Sequence, residues 1–177
     1  MVVSVLFGIL TFTAIHTTKA SSTCCPDSWL PFKGSCYQFY DEDKVDWAEA
    51  VSICRLKNSD LVTVETEYES KFLKFFARKL FKRDSGSRNV TAFWLGASDT
   101  DIDGIWKWVS TDEELTYTEW DVSQPNNKPD NKEDCMALNG AYDFNWHDGV
   151  CKQRVGYPLC EKKGTSDNGG VGMQVIG

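Results

Sequence analysis

The pattern of apolar and polar positions divides the chain into a leader, a helical part and a β-rich part. Residues 2–15 are almost continuously apolar, and Thr18-Lys19-Ala20 follows as a small-x-small sequence suited to signal-peptidase cleavage. An apolar run of about 14 residues is too short to span a membrane as a helix. We therefore expect residues 1–20 to be a secretory signal peptide and the protein to be extracellular, with a buried strand or helix as the alternative for this run.

Helical spacing of apolar residues appears twice after the leader. Asp46 is suited to cap a helix that runs to about Leu56. Thr66 and Glu69 have the spacing of a capping box, in which Thr66 accepts from the backbone N–H of Glu69 and the Glu69 side chain reaches back. The helix that follows ends near Leu80. We expect its stripe of large apolar residues to face the core: Tyr68, Phe72, Phe75, Phe76 and Leu80.

Beyond residue 80 the helical period stops, and short apolar runs alternate with Asp, Asn, Gly, Ser and Pro. The strand candidates of the whole chain are residues 35–40, 61–64, 91–96, 105–109, 135–138 and 157–160. Two early helices and a late, loop-heavy β region predict one α+β domain over residues 21–163. Residues 164–177 are rich in glycine and small polar residues and are predicted to form a flexible tail.

Charge and short motifs narrow the classes of function. The chain has 19 Lys and Arg against 26 Asp and Glu, a formal net charge of −7, and loss of the leader with its single lysine makes the charge −8. This acidity argues against nucleic acid as a partner and is compatible with calcium, calcium-bearing surfaces or neutral sugars. The sequence lacks Gly-x-Ser-x-Gly, His-Glu-x-x-His and phosphate-loop motifs, so we expect no enzyme activity. Asn89 opens an Asn-x-Thr sequon and is a candidate N-glycosylation site.

The cysteines and one polar segment carry most of the chemistry. Seven widely separated cysteines behind a secretory leader predict a disulfide framework, although six of them alone allow 15 pairings. The segment from Gln124 to Cys135 is rich in amide and carboxylate side chains, which are the oxygen ligands that Ca²⁺ prefers. The sequence therefore predicts a calcium-binding loop here.

Several motifs, in this order, resemble a long-form C-type lectin domain. They are Cys25-Pro-Asp-Ser-Trp29 with Cys36-Tyr37, the helix over residues 47–54, Trp94-Leu95-Gly96, Gln124-Pro125-Asn126, Trp146-His147-Asp148 and the spacing to Cys160. The resemblance covers about residues 25–162 and includes the secreted perlucin-like proteins of shell matrix. It implies two helices, short antiparallel sheets, a long calcium and sugar loop, and a calcium-dependent carbohydrate-binding lectin.

The resemblance also implies the disulfide pairs Cys25–Cys36, Cys54–Cys160 and Cys135–Cys151. Cys24 is then left over, and an unpaired cysteine near a secreted amino terminus indicates a disulfide-linked homodimer. The alternatives are a capped or buried thiol, or Cys24 in place of Cys25 in the first bridge.

By the same resemblance, Gln124, Asn126, Glu133 and Asp148 would hold a calcium ion whose shell is completed by two sugar hydroxyls, and the Gln124–Pro125 peptide would be cis. The family's triplets at this position are Glu-Pro-Asn for mannose-type and Gln-Pro-Asp for galactose-type sugars. The mixed triplet here should weaken calcium binding, and the lack of an aromatic residue between Gln124 and Asp134 slightly favours mannose-type sugars.

A second departure lies at His147, where the family has asparagine. Imidazole is a poor ligand for a hard cation, so His147 is a doubtful ligand. The sequence leaves open whether it swings away, contacts a sugar hydroxyl, makes binding pH-sensitive or is only structural. An auxiliary calcium site would use Asp99, Asp103, Asn127 and Asp134. The competing function is an extracellular, biomineral-associated matrix protein that keeps the fold with weak or no sugar binding.

Overall fold

The computed structural model describes residues 25–81, 91–128 and 132–164. The predicted signal peptide, Cys24, the Asn89 sequon and the predicted tail beyond Gly164 lie outside the described residues. Asp130 and Asn131 of the oxygen-rich loop also lie outside them. No helix in the described part of the chain is both long and apolar enough to cross a membrane.

The described residues form two helices and nine short strands, which confirms the α+β prediction. The helices are α1 (Trp47–Leu56) and α2 (Glu67–Leu80). The strands are β1 (Leu30–Phe32), β2 (Ser35–Phe39), β3 (Asp60–Leu61), β4 (Ala92–Ser98), β5 (Lys107–Trp108), β6 (Glu113–Glu114), β7 (Cys135–Asn139), β8 (Asn145–Gly149) and β9 (Tyr157–Lys163). Each predicted strand overlaps an observed one, whereas β1, β6 and β8 were not predicted. The sequences of β6 and β8 lack an apolar run, and β1 is a three-residue apolar strand interrupted by Pro31.

Strand β9 joins the two parts of the sheet. It pairs antiparallel with β2 along one edge, and its other edge pairs antiparallel with β3 and parallel with β4. Strand β4 pairs antiparallel with β5 and β7, and β7 forms a hairpin with β8 in which Met136 lies opposite Asp148. Sequence-distant segments are thus brought to the β7–β8 hairpin, which carries the candidate site at one end.

Both predicted helix caps are present. The Asp46 carboxylate accepts from Glu49 N at 2.8 Å, and Thr66 Oγ1 accepts from Glu69 N at 3.3 Å. The reciprocal half of the capping box differs from the prediction, because Glu69 Oε2 accepts from Glu65 N instead of Thr66 N. Glu69 Oε1 accepts from the buried Tyr37 hydroxyl at 2.6 Å, and this contact draws the Glu69 side chain inward.

The prediction that the apolar stripe of α2 faces the core is wrong for Tyr68, Phe75 and Leu80 but confirmed for Phe72, which is partly buried and packs against the core. Tyr68, Phe75 and Leu80 are 64%, 56% and 54% exposed. The buried face of α2 is instead formed by Glu69, Ser70, Leu73, Lys74 and Ala77. The polar members of this face have buried or half-buried partners, and those contacts, which a hydrophobic period cannot reveal, decide which side of the helix packs inward.

The three disulfides pair as the resemblance implied: Cys25–Cys36, Cys54–Cys160 and Cys135–Cys151. Cys54–Cys160 closes a sequence separation of 106 residues and ties α1 to β9. In the chain-entropy view such a loop closure is worth about 4–5 kcal/mol. Cys135–Cys151 closes the base of the β7–β8 hairpin.

We expect Gly96→Ala to destabilise the fold by about 1–3 kcal/mol because it overpacks the sheet. A Cβ at Gly96 would lie 2.7 Å from the Leu61 carbonyl oxygen, a backbone atom that cannot move aside cheaply. The matched control is Gly149→Ala, whose Cβ would meet the Trp94 ring at an ordinary 3.5 Å. Urea unfolding under non-reducing conditions measures both, and equal unfolding midpoints for the two variants would contradict this packing argument.

Candidate functional site

The β7–β8 hairpin fixes the two residues at the centre of the candidate site. Its register sets His147 opposite Ala137 and Asp148 opposite Met136. Alternation along β8 turns Trp146 and Asp148 to the buried face, and Asp148 is 6% exposed. A buried carboxylate needs hydrogen-bond donors or a cation, so the surroundings of Asp148 define the site.

The loop that follows Gln124 supplies those donors. The Gln124–Pro125 peptide is cis, as the resemblance implied. Beyond this bend, Asn126 N and Asn127 N donate to the same oxygen, Asp148 Oδ2, at 2.8 and 2.6 Å. One oxygen of Asp148 therefore holds the loop against the hairpin.

Glu133 approaches the same loop from the other side. Its Oε2 accepts from Lys128 N at 3.0 Å, and its own N–H donates to Asn127 Oδ1 at 3.1 Å. The structure thus brings Gln124, Asn126, Glu133 and Asp148 to one locality, although they span 25 positions of the sequence. No group of three or more His, Cys, Asp or Glu side chains in the described residues is arranged as a metal cluster.

Two oxygen atoms at this locality are buried and lack a hydrogen-bond partner among the described residues: Gln124 Oε1 and Asp148 Oδ1. Leaving a buried acceptor unsatisfied costs about 1–3 kcal/mol, so two such oxygens among the residues of one loop and hairpin indicate a missing ligand. Amide and carboxylate oxygens suit Ca²⁺ better than a transition metal. The residues present therefore fit calcium.

His147 lies in the wall of the site and does not swing away from it. Its Nδ1 is 2.9 Å from Gln124 Nε2, and its ring stacks on Tyr142 with centroids 4.2 Å apart. Its Nε2 is buried without a hydrogen-bond partner among the described residues, and the nearest acidic oxygen, Asp121 Oδ2, is 3.9 Å away. Both ring nitrogens thus face protein groups.

The auxiliary set is also brought together. Asp103 Oδ1 accepts from Asn127 Nδ2 at 2.8 Å, and Asp99 N donates to the Asp134 carbonyl oxygen at 3.2 Å. Asp99 Oδ2 accepts from Gly104 N at 2.9 Å, whereas the buried Asp99 Oδ1 has no hydrogen-bond partner among the described residues. Asn127 connects the two sets, because its N–H serves Asp148 and its side chain serves Asp103.

Burial shifts the pKa of three groups here. It raises the pKa of Glu133, with a further contribution from the charge of Asp148, while the Lys128 N–H opposes the shift. It raises the pKa of Asp99 against the opposing Gly104 N–H, and the carboxylates of Asp134 and Asp103 add to the rise. Burial lowers the pKa of His147, although nearby carboxylates oppose this. Burial is thus the main influence on the protonation of all three groups.

Sequence reasoning missed several residues that support the site. Asp121, Tyr142 and Asn145 contact it or its wall, and Lys74 reaches Asn145 from α2. No motif marks them. The bridge between Trp120 and Trp146 puts Asp121 beside His147. This pairing is visible only in the fold, so the sequence held no signal for it.

Comparison with known proteins agrees with this geometry. Residues 43–162 match the model of the lectin C-type domain family. The chain belongs to that family. Human asialoglycoprotein receptor 2 is 35% identical over 154 residues, which is 84% of this chain but 44% of the receptor. A perlucin-like protein of Mytilus galloprovincialis is 31% identical over 156 residues, which is 85% of this chain and 94% of that protein.

Solved structures give the same fold. The mouse scavenger receptor C-type lectin carbohydrate-recognition domain matches with a TM-score of 0.66 and 27% identity, covering 79% of this chain and 98% of that one. One structural neighbour, SPL-2 of Saxidomus purpuratus, is a Ca²⁺-independent C-type lectin. It matches with a TM-score of 0.61 and 30% identity, covering 78% of this chain and 93% of that one. Family membership supports a carbohydrate-binding role and indicates no enzyme activity.

We expect Asp99→Asn to stabilise the metal-free chain at pH 7. The raised pKa of Asp99 means that the folded chain holds this proton more tightly than the unfolded chain does. The ionised carboxylate therefore destabilises the fold at neutral pH, and this effect fades as the pH falls toward about 4, where the group also becomes protonated in the unfolded chain. Thermal unfolding in EDTA between pH 4 and 7 measures the gain.

The control for this prediction is Asp101→Asn, an exposed position in the same loop. It should leave the unfolding temperature nearly unchanged across the same pH range. A lower unfolding temperature for Asp99→Asn at pH 7, or a difference that does not vary with pH, would contradict the prediction.

Proposed function

We propose that this protein is a secreted, calcium-dependent, carbohydrate-binding lectin. The observation that supports this most directly is that two buried oxygens, Gln124 Oε1 next to the cis peptide and Asp148 Oδ1 on β8, have no hydrogen-bond partner among the described residues. Family membership supplies the carbohydrate class, since some relatives are named for carbohydrate recognition. The residues that would hold calcium are Gln124, Asn126, Glu133 and Asp148.

Calcium bound there would supply open coordination positions for two adjacent hydroxyls of a sugar. The protein's own groups divide the remaining work. Asp148 Oδ2 and Glu133 Oε2 are engaged by backbone N–H groups, so the second oxygen of each carboxylate is left to face the site. The cis peptide directs Gln124 and Asn126 from the two sides of Pro125. Only two of the four residues carry charge, so we expect affinity in the weak extracellular range of about 0.1–1 mM.

The contact between Gln124 and His147 favours mannose-type sugars. Gln124 Nε2 lies 2.9 Å from His147 Nδ1, which uses one of its two N–H groups and holds the nitrogen at the ring. The Gln124 oxygen is the end of the amide without a partner among the described residues, so it is the end offered to the site, as in a glutamate, while Asn126 retains a side-chain donor. The mixed triplet thus presents an acceptor before the proline and a donor after it, as Glu-Pro-Asn does.

We expect calcium to raise the unfolding temperature of the chain. In calcium the chain should be retained on a mannose resin, and more weakly on a galactose resin, and chelator should release it. Glu133→Gln and Asp148→Asn should each abolish the calcium-dependent stabilisation and the retention. Both variants should keep the disulfide-linked fold, since they replace oxygens with near-isosteric amides. Glu114→Gln removes the same charge at an exposed position on β6 and is the control.

If calcium stabilises both site variants as it stabilises the parent chain, the ion binds elsewhere and the proposed site is wrong. The same preparations test the second candidate function, an extracellular matrix protein associated with calcium mineral. This candidate is favoured by the perlucin-like relative, which the chain matches over 94% of that protein's length. If no sugar resin retains the chain, with or without chelator, and calcium carbonate does retain it, this second function replaces the lectin proposal.

We also propose a disulfide-linked homodimer through Cys24. The other six cysteines are joined in the three disulfides, and Cys24 lies outside the described residues. We expect a non-reducing gel to show a dimer that reductant or Cys24→Ser converts to monomer, with mannose-resin binding retained by the monomer at lower avidity. A monomer band that is identical with and without reductant would contradict the dimer.

A further inference from the structure

A line of polar groups, joined by hydrogen bonds except at its step from Asp121 to His147, runs from the buried face of α2 to the candidate calcium site. Lys74 Nζ donates to Asn145 Oδ1 at 2.6 Å, and Asn145 Nδ2 donates to Asp121 Oδ1 at 2.8 Å. Asp121 Oδ2 lies 3.9 Å from His147 Nε2, and His147 Nδ1 lies 2.9 Å from Gln124 Nε2. The line joins residues from three separate parts of the chain: α2, the loop over residues 121–124 and β8.

The chemistry of each group fixes the direction of the next. A lysine ammonium can only donate, so Lys74 selects the oxygen of the Asn145 amide. The Asn145 NH₂ group is thereby turned toward Asp121, whose carboxylate can only accept. Lys74 is also held by Glu119 Oε1 at 2.5 Å, and its side chain is only 8% exposed, so the starting point of the line is rigid.

The Asp121 carboxylate then favours one tautomer of His147. A proton on Nε2 points at the negative Asp121 Oδ2, whereas a lone pair there would be repelled. With its proton on Nε2, the neutral ring has a lone pair on Nδ1, which accepts from the Gln124 NH₂ group. The stacked Tyr142 ring limits rotation of the imidazole out of this arrangement.

We propose that Asp121 and His147 are positioning residues that determine which end of the Gln124 amide faces the calcium site. With the NH₂ group held by His147, Gln124 Oε1 is directed away from the ring and stays without a protein partner. In the opposite tautomer His147 Nδ1–H would require the Gln124 oxygen, and two N–H groups would face the cation instead. This inference rests on the proposed calcium-binding function, and it assigns His147 a role other than that of a ligand.

Asp121→Asn tests the inference because it replaces the carboxylate oxygen that faces His147 Nε2, an acceptor, with an NH₂ group, a donor. Asn145 Nδ2 can still donate to the oxygen of the new side chain, whose NH₂ group must then face His147 Nε2. We expect the proton to move to Nδ1 and calcium affinity to fall about 10- to 100-fold, the usual cost of losing an outer-shell partner. The affinity is measured by calorimetry with calcium chloride.

The tautomer is read independently in the metal-free full chain at pH 7.5. Nitrogen-15 chemical shifts of the imidazole distinguish the two forms, and His147→Asn identifies the His147 signals, since the chain has only one other histidine. The parent chain should show the Nε2–H form and a coupling across the hydrogen bond from the Gln124 side-chain amide to Nδ1. Asp121→Asn should show the Nδ1–H form.

A second variant separates positioning from loss of charge or of structure. Glutamate at position 124 has two oxygens, so one can accept from Nδ1–H while the other faces the cation. Asp121→Asn combined with Gln124→Glu has the net charge of the parent chain and should recover most of the lost calcium affinity. Glu114→Gln, which also removes one charge at an exposed position, should change neither tautomer nor affinity.

The outcomes separate this inference from the proposed function. A parent chain in the Nδ1–H form, an unchanged tautomer in Asp121→Asn, or a switched tautomer with unchanged calcium affinity would each overturn it. Failure of the double variant to recover affinity would also overturn it, because a general structural defect would then explain the loss. A parent chain that binds no calcium would overturn the proposed function, and the tautomer measurements alone would then decide whether the line of contacts orients Gln124.

Discussion

The carboxylate of Asp148 is the constraint on which the candidate site depends. It is nearly fully buried at the end of the β7–β8 hairpin, and one of its oxygens accepts two backbone N–H groups from the loop that follows the cis Gln124–Pro125 peptide. This contact fixes the loop against the sheet and leaves the second oxygen without a partner among the described residues. A single side chain therefore both builds the loop and contributes to the opening that a cation would fill.

The rest of the fold makes that position possible. Strand β9 joins the two halves of the sheet, Cys54–Cys160 ties it to α1, and Cys135–Cys151 closes the base of the hairpin. The loop over residues 124–128 has little apolar material of its own, so its order comes from backbone donors, a cis proline and acceptors supplied by other segments. Because the sheet and disulfides hold the scaffold independently of the loop, loop residues can vary in chemistry while the scaffold keeps its shape.

Features that depend on local chemistry or on motif order could be predicted from the sequence. Asp46 and Thr66 cap their helices, the three disulfides pair as the resemblance implied, and Pro125 follows a cis peptide. Features that depend on tertiary partners could not. Three large apolar residues of α2, Tyr68, Phe75 and Leu80, point outward, because Glu69 and Lys74 find buried or half-buried partners on the other face. The contact of Asp121 with His147 arises only when separate segments meet.

A crystal structure of the chain grown with calcium and a mannose-type monosaccharide tests the central claim most directly. The account predicts one ion within about 2.3–2.6 Å of both Gln124 Oε1 and Asp148 Oδ1, the usual calcium–oxygen range. It also predicts two sugar hydroxyls on the open side of that ion and His147 nitrogens that do not touch it. Water alone at this position, or an ion held by the His147 ring, would contradict the account.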